Sequence, residues 1–209
     1  MPEVPPSSDG ASDLADLKTW AKESLRQSMR RVRRALPQQA RQLRSERVTA
    51  SIRSLPDYRD ARMLLLYWPM PDEVDLRPLA ELAVAEGKSL ALPRMRTDEV
   101  GLDLYAYAPG DALEAHPWGL SQPQAQSPRV ESRDIDLVLV PALAVDEYGT
   151  RLGYGKGFYD RLLPTLDGAV TCAAIFHFQL VAELPREDFD WPVQWVASDE
   201  GAFATSPPA

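Results

Sequence analysis

Two hydrophobic periods alternate along the chain. From Leu14, apolar residues recur at Leu17, Ala21, Leu25, Met29, Val32 and Leu36, in steps of three and four that mark one helical face. Pro37 interrupts this pattern and suits the start of a second helix through "PQQARQLRSERVTASIRSL". The period then changes. "ARMLLLYWPM" is a short apolar run that reads as a buried strand. "DLRPLAELAVAEG" reads as a helix stopped by Gly87, followed by strands in "KSLALPRM" and the alternating "LDLYAYA". Residues 108–133 hold Pro109, Pro117, Pro123 and Pro128 and predict a long irregular loop. "DIDLVLVPALAVD" is the most strand-like run in the chain; "GFYDRLLPTL" predicts a helix, "GAVTCAAIF" a strand, and a short last strand is expected over Gln194–Ala197.

Strands alternating with helices indicate an α/β fold: three α/β/α layers around a mostly parallel central sheet, the general type also used by sugar-phosphate isomerases and coenzyme A transferases. Such sheets carry ligand loops at the carboxyl ends of their strands. Trp68–Glu73 and Pro141–Phe158 each follow a strand in that way.

Composition narrows the class. Apolar residues make up 44% of the 209 positions and charged residues 26%, as in ordinary globular proteins. No run approaches the ~20 apolar residues of a membrane span. Residues 1–13, "MPEVPPSSDGASD", are acidic and proline-rich and read as a disordered tail, leaving residues 14–209 as a single domain. The one cysteine, Cys172, excludes an internal disulfide, reads as a small buried hydrophobe, and fits a reducing cytoplasm. The net charge of −8 is uneven: residues 22–47 hold nine basic residues and two acids, so this stretch carries +7 and the remainder −15. An acidic body with one basic helical region disfavours bulk nucleic-acid binding and permits a focused anion site.

The candidate anion site is "RLGYGKGFYDR", Arg151–Arg161. It is neither a P-loop, because Thr150 and Gly157 stand where glycine and serine or threonine belong, nor a dinucleotide fingerprint, because Gly153, Gly155 and Gly157 are spaced two and two. The underlying physics still applies. Glycines let backbone amides approach a ligand, a helix starting near Gly157 would aim its free amides there, and Arg151 and Lys156 add full charges. Asp160, one turn on, has the chemistry to hold magnesium bridging phosphates. The alternative is a tight strand-to-helix connection with ordinary surface charges.

"VPALAVDEYGTRLGYGKGFYDRLL" closely resembles the signature of the 5-formyltetrahydrofolate cyclo-ligase family, also called methenyltetrahydrofolate synthetases. "AKESLRQSMRRVRRAL", "YWPMPDEVDLRPL", "HPWGLSQP" and "FHFQLVAELPREDFDWPVQWVASDEG" resemble further family segments in the expected order, over roughly residues 20–202. The resemblance implies ATP-dependent closure of 5-formyltetrahydrofolate to 5,10-methenyltetrahydrofolate, with ADP and phosphate released. It implies ATP contacts from Lys22, Arg26, Arg151, Leu152, Gly153, Tyr154, Gly155, Lys156, Gly157, Phe158 and Tyr159, with Arg151 and Lys156 catalytic. It places the folate against Trp68, Met70, Glu73, Trp118, Tyr154 and Phe158, with Glu73 binding the pterin, and Mg2+ on Asp160 and Asp190. One of Phe158 and Tyr159 is expected to face the site while the other anchors the helix. The expected protein is a monomeric cytoplasmic enzyme whose partners are small molecules, a reduced folate and ATP, and not nucleic acid or membrane. Rival readings keep the fold with a sugar-phosphate, coenzyme A or thiamine-related substrate, or use the basic helical region to bind RNA or a protein.

Overall fold

The computed structural model describes residues 10–98, 100–187 and 190–206. Helices α1 (Gly10–Ala35) and α2 (Gln38–Ser54) meet at Pro37 and lead to α3 (Pro56–Asp60). The alternation follows: β1 (Met63–Leu65), α4 (Arg77–Ala85), β2 (Ser89–Met95) and β3 (Leu102–Tyr107). A hairpin of β4 (Leu113–Ala115) and β5 (Ser121–Pro123) precedes β6 (Leu137–Pro141), β7 (Ala144–Asp146) and β8 (Arg151–Leu152). Helix α5 (Phe158–Leu162) and a 3-10 turn lead to β9 (Val170–Ala174), β10 (Leu180–Val181), β11 (Trp195–Ser198) and β12 (Gly201–Ala204).

The central sheet has seven strands in the order β12-β11-β9-β6-β1-β2-β3. Its five inner strands are parallel, and β3 and β12 close the edges antiparallel. The sequence of β6, "LVLVP", is apolar at consecutive positions because both faces are covered. Leu137 and Leu139 face Val48 and Ile52 of α2 and Leu79 and Ala83 of α4. Val138 and Val140 face Leu162, Leu163 and Leu166. Each fully buried side chain of this kind stabilises the fold by about 1.5–3 kcal/mol. The expected three layers form, with one of them thin: five-residue α5, the 3-10 turn and a small sheet ordered β10-β7-β8. Cys172 lies fully buried in β9, and burial pushes its thiol up to about 12, which makes it inert.

Some expectations are corrected. The run at residues 61–70 forms a strand of three residues, and the Leu66 amide still donates to Ala91 O at 3.0 Å before the chain leaves the sheet toward Pro69 and Pro71. Residues 134–146 are two strands in different sheets: the chain leaves the central sheet at Pro141, and the Leu143 amide then donates to Leu152 O at 2.7 Å. Residues 108–133 contain the β4–β5 hairpin. Of the tail expected over residues 1–13, the first nine lie outside the described residues and Gly10–Asp13 belong to α1. The apolar stripe of α1 is only partly covered. Leu25 and Met29 pack on Leu152 and Leu184, whereas Leu17 stays 61% exposed. Among the described residues no helix is long and apolar enough to cross a membrane.

Candidate active site

The carboxyl ends of β1 and β6 open into a cleft of about 650 Å³. One wall comes from Trp68, Met70 and Glu73 after β1, another from α1, and the floor from the glycine stretch after β8. All the residues that the sequence suggested for ATP, folate and metal line this one cleft, from Lys22 near one end of the chain to Asp190 near the other.

The glycines answer to local geometry. Gly155 and Gly157 have φ of +90° and +65°, a region that side-chain-bearing residues rarely adopt. A Cβ on Gly155 would stand 3.4 Å from the guanidinium carbon of Arg26. Arg26 in turn donates through Nε to the carbonyl of Gly153 at 3.0 Å. The loop is therefore folded closely against α1. Because α5 has only five residues, it aligns few peptide dipoles, and the positive character of the loop comes chiefly from side chains.

Those side chains are paired with the carboxylates of the site. Arg151 donates to Asp160 at 2.6 Å and Lys22 to Asp190 at 3.0 Å, with Glu187 at 3.9 Å from the same ammonium. Arg151 is 8% exposed, its Nε is buried without a partner, and burial pulls its pKa below the usual value. A buried, incompletely bonded guanidinium is a site that an incoming anion would satisfy. Asp160 and Asp190 both act electrostatically on Arg151. Among the described residues no group of three or more His, Cys, Asp and Glu forms a metal cage.

The mouth of the cleft is aromatic. The exposed Lys156 places Nζ 5.1 Å from the Trp118 ring centroid, and that ring lies 6.1 Å from Phe158. Trp118 itself is 43% exposed. Phe158 thus belongs to the opening, while Tyr159 lines the cleft farther in and packs against the core cluster behind α5, with the Arg151 guanidinium 5.8 Å from its ring centroid.

At the far side Glu73 is 5% exposed. Its Oε2 accepts from the Met70 amide at 3.0 Å and its Oε1 from the Tyr154 hydroxyl at 2.8 Å. Burial raises its carboxyl above the ordinary 4.5, opposed first by Arg33. A raised folded-state value makes the folded protein hold this proton more tightly than the unfolded chain. The resulting stability is present below pH 4.5 and is lost as the pH rises through the folded value. Compared with Glu73→Gln, the unaltered protein should therefore gain stability between pH 7 and pH 4.5. Urea unfolding of both proteins at each pH checks this, and an equal difference at the two pH values would contradict it.

Sequence reasoning missed Arg33, Asp72 and Glu187. Arg33 is 1% exposed and pairs with Asp72 at 2.9 Å. The signal was available: Lys22, Arg26, Arg30 and Arg33 follow one another by four, four and three residues and so share a helix face.

Comparison with known proteins identifies the family. A profile of the 5-formyltetrahydrofolate cyclo-ligase family matches residues 18–199. The Escherichia coli K12 5-formyltetrahydrofolate cyclo-ligase is 29% identical over 181 residues, covering 81% of this chain and 96% of its own. The mouse enzyme of the same name is 26% identical over 198 residues, covering 90% and 95%. The NMR structure of Aquifex aeolicus 5,10-methenyltetrahydrofolate synthetase superimposes with a TM-score of 0.77 at 31% identity, covering 90% of this chain and 94% of that one. The Mycoplasma pneumoniae synthetase, at 19% identity and a TM-score of 0.70, shares the fold. With its signature loop, its cleft and a family match across most of its length, the chain belongs to the 5-formyltetrahydrofolate cyclo-ligase family.

Proposed function

We infer that the protein uses ATP to convert 5-formyltetrahydrofolate into 5,10-methenyltetrahydrofolate, releasing ADP and phosphate. The observation that carries this reading is the joining, in one cleft, of a cationic glycine loop with an aromatic wall and a buried carboxylate. Phosphoryl transfer asks for positioning and charge neutralisation, and the loop offers both. Gly153, Gly155 and Gly157 bring backbone to the triphosphate, and Lys22, Arg26 and Arg151 neutralise it. Arg151 and Lys156 act on the phosphoryl group as it moves to the formyl oxygen and ADP leaves. Attack of folate nitrogen 10 on the activated formyl carbon then closes the ring; nitrogen 10 releases its proton to solvent, and phosphate departs with the formyl oxygen.

Trp68, Met70, Trp118 and Phe158 supply the apolar and stacking surfaces for the folate rings. Glu73 accepts paired hydrogen bonds from the amino-pyrimidine edge, since each of its oxygens retains a lone pair beyond its internal bond. Asp160 and Asp190 are hard oxygen donors facing the expected phosphate position, and they would hold Mg2+ together with phosphate oxygens. The metal's chemistry is neutralisation of phosphate charge. Arg151 and Lys22, paired with these carboxylates, are the cations that would turn toward the nucleotide if the carboxylates took up the metal.

The lone buried Cys172 fits a reducing cytoplasmic setting. The test is ADP release with and without 5-formyltetrahydrofolate, alongside methenyl-folate absorbance. Folate-dependent ADP release in step with methenyl formation is expected. ADP release indifferent to folate, or turnover of the folate without ATP, would overturn the reading.

A further inference from the structure

We propose that Arg33 is a positioning residue that acts through the Tyr154 hydroxyl to orient Glu73 and keep it ionised for the folate ring. The proposal rests on the role given to Glu73 above. Arg33 does not line the cleft and is buried, so it does not touch substrate itself. Its Nη2 donates to the Tyr154 oxygen at 2.5 Å. A guanidinium has donors only, so Tyr154 must receive this bond. The hydroxyl proton then points the other way, to Glu73 Oε1 at 2.8 Å. Arg33 itself stands 3.7 Å from that oxygen, beyond hydrogen-bond reach. Its charge therefore acts on Glu73 directly, as an ion pair, while its hydrogen bonding reaches Glu73 only through the phenol, which is the part that orients the carboxylate.

The relay is held at every joint. Asp72 binds the Arg33 fork, with Nε at 3.2 Å and Nη2 at 2.9 Å from its carboxylate. The guanidinium carbons of Arg30 and Arg33 lie 5.3 and 5.7 Å from the Tyr154 ring centroid, so two cations of α1 hold the phenol whose hydroxyl donates to Glu73. The Met70 amide fixes the other carboxylate oxygen. The remaining groups that act on Glu73 are Asp72, Tyr67 and Tyr159, and burial pushes both of these tyrosine hydroxyls up so that they stay neutral. Arg33 is thus the cation opposing the cost of burying Glu73. Tyr154 sits in the glycine loop, yet its hydroxyl serves the folate side of the cleft.

Tyr154→Phe removes the relay while preserving the ring. Steady-state kinetics of this variant, with Arg33→Lys and Glu73→Gln beside it, test the proposal across a pH series. Tyr154→Phe should raise the folate KM by about tenfold or more, the size of a lost bond to a buried charge. The ATP KM should stay within about twofold. Without the donor that stabilises its charge, Glu73 protonates at higher pH, so the acidic limb of kcat/KM for folate should move upward. Arg33→Lys keeps the charge but not the fork, and should shift the limb in the same direction by less. If Arg33→Lys does not fold, Tyr154→Phe decides alone. An unchanged folate KM with an unmoved limb in Tyr154→Phe, or a rise confined to the ATP KM, overturns the proposal. Glu73→Gln separates the two levels: if it binds folate normally, the role of Glu73 falls. If it is impaired while Tyr154→Phe is not, only the relay falls.

Discussion

Lys156→Ala should lose about 10²–10³-fold in kcat while unfolding at the same temperature as the unaltered protein. The two halves of this expectation have separate causes. Lys156 is exposed and follows Gly155, where the loop turns across the cleft. No salt bridge involving it occurs among the described residues, and its ammonium rests over the Trp118 ring. Removing such a side chain changes stability by less than about 0.5 kcal/mol. In the proposed reaction its place at the cleft mouth would let it follow a phosphoryl group whose charge spreads during transfer, and deleting a charge placed for the transition state would be felt in the rate. Single-turnover kinetics and a thermal melt check the two halves together. Full activity in this variant would remove Lys156 from the chemistry.

Arg33→Met should destabilise the protein by about 3–5 kcal/mol, the cost of leaving a buried ion without its partner. Glu73 is 5% exposed and would keep only the Met70 amide and a Tyr154 hydroxyl that had lost its own donor. Asp72 would lose its cation as well. For a chain of this length that corresponds to a fall of roughly 6–20 °C in Tm. Because burial already raises the Glu73 carboxyl, part of the loss should be recovered as the pH falls and the carboxyl takes up its proton. Chemical denaturation across pH reads both effects. A loss under about 1 kcal/mol would mean that the cluster relaxes to let in water.

How far the sequence speaks depends on what makes each element. Strand β6 is legible because burial on both faces leaves a continuous apolar run, and α4 because its apolar spacing ends at a glycine. The break at Pro141 is not, since the residues on each side are equally apolar and only the missing amide marks the departure from the sheet. Helix α1 misleads in an instructive way. Its apolar stripe looks like the buried face, but the face turned to the cleft is basic, and Arg33 is covered more completely than any of Leu17, Trp20 or Val32. Periodicity cannot show this, because an arginine is buried only when distant carboxylates meet it. The same limit applies to Lys22 and Asp190, bonded across 168 positions. The family resemblance assigned both residues to one phosphate site, but their direct bond required the folded chain. The glycine loop was legible as a place of backbone approach, while the identity of what approaches it, Arg26 of α1, required three dimensions.

The central claim is that nucleotide phosphate docks against the backbone where the chain turns at Gly153, Gly155 and Gly157. Its most direct measurement is an ATP titration of the isotopically labelled protein, following the backbone amide resonances. The largest shifts should fall on these three glycine amides, with the Lys22 and Arg26 turns of α1 moving alongside. Saturable ATP binding that leaves the three amides unmoved, with shifts concentrated elsewhere, would contradict it.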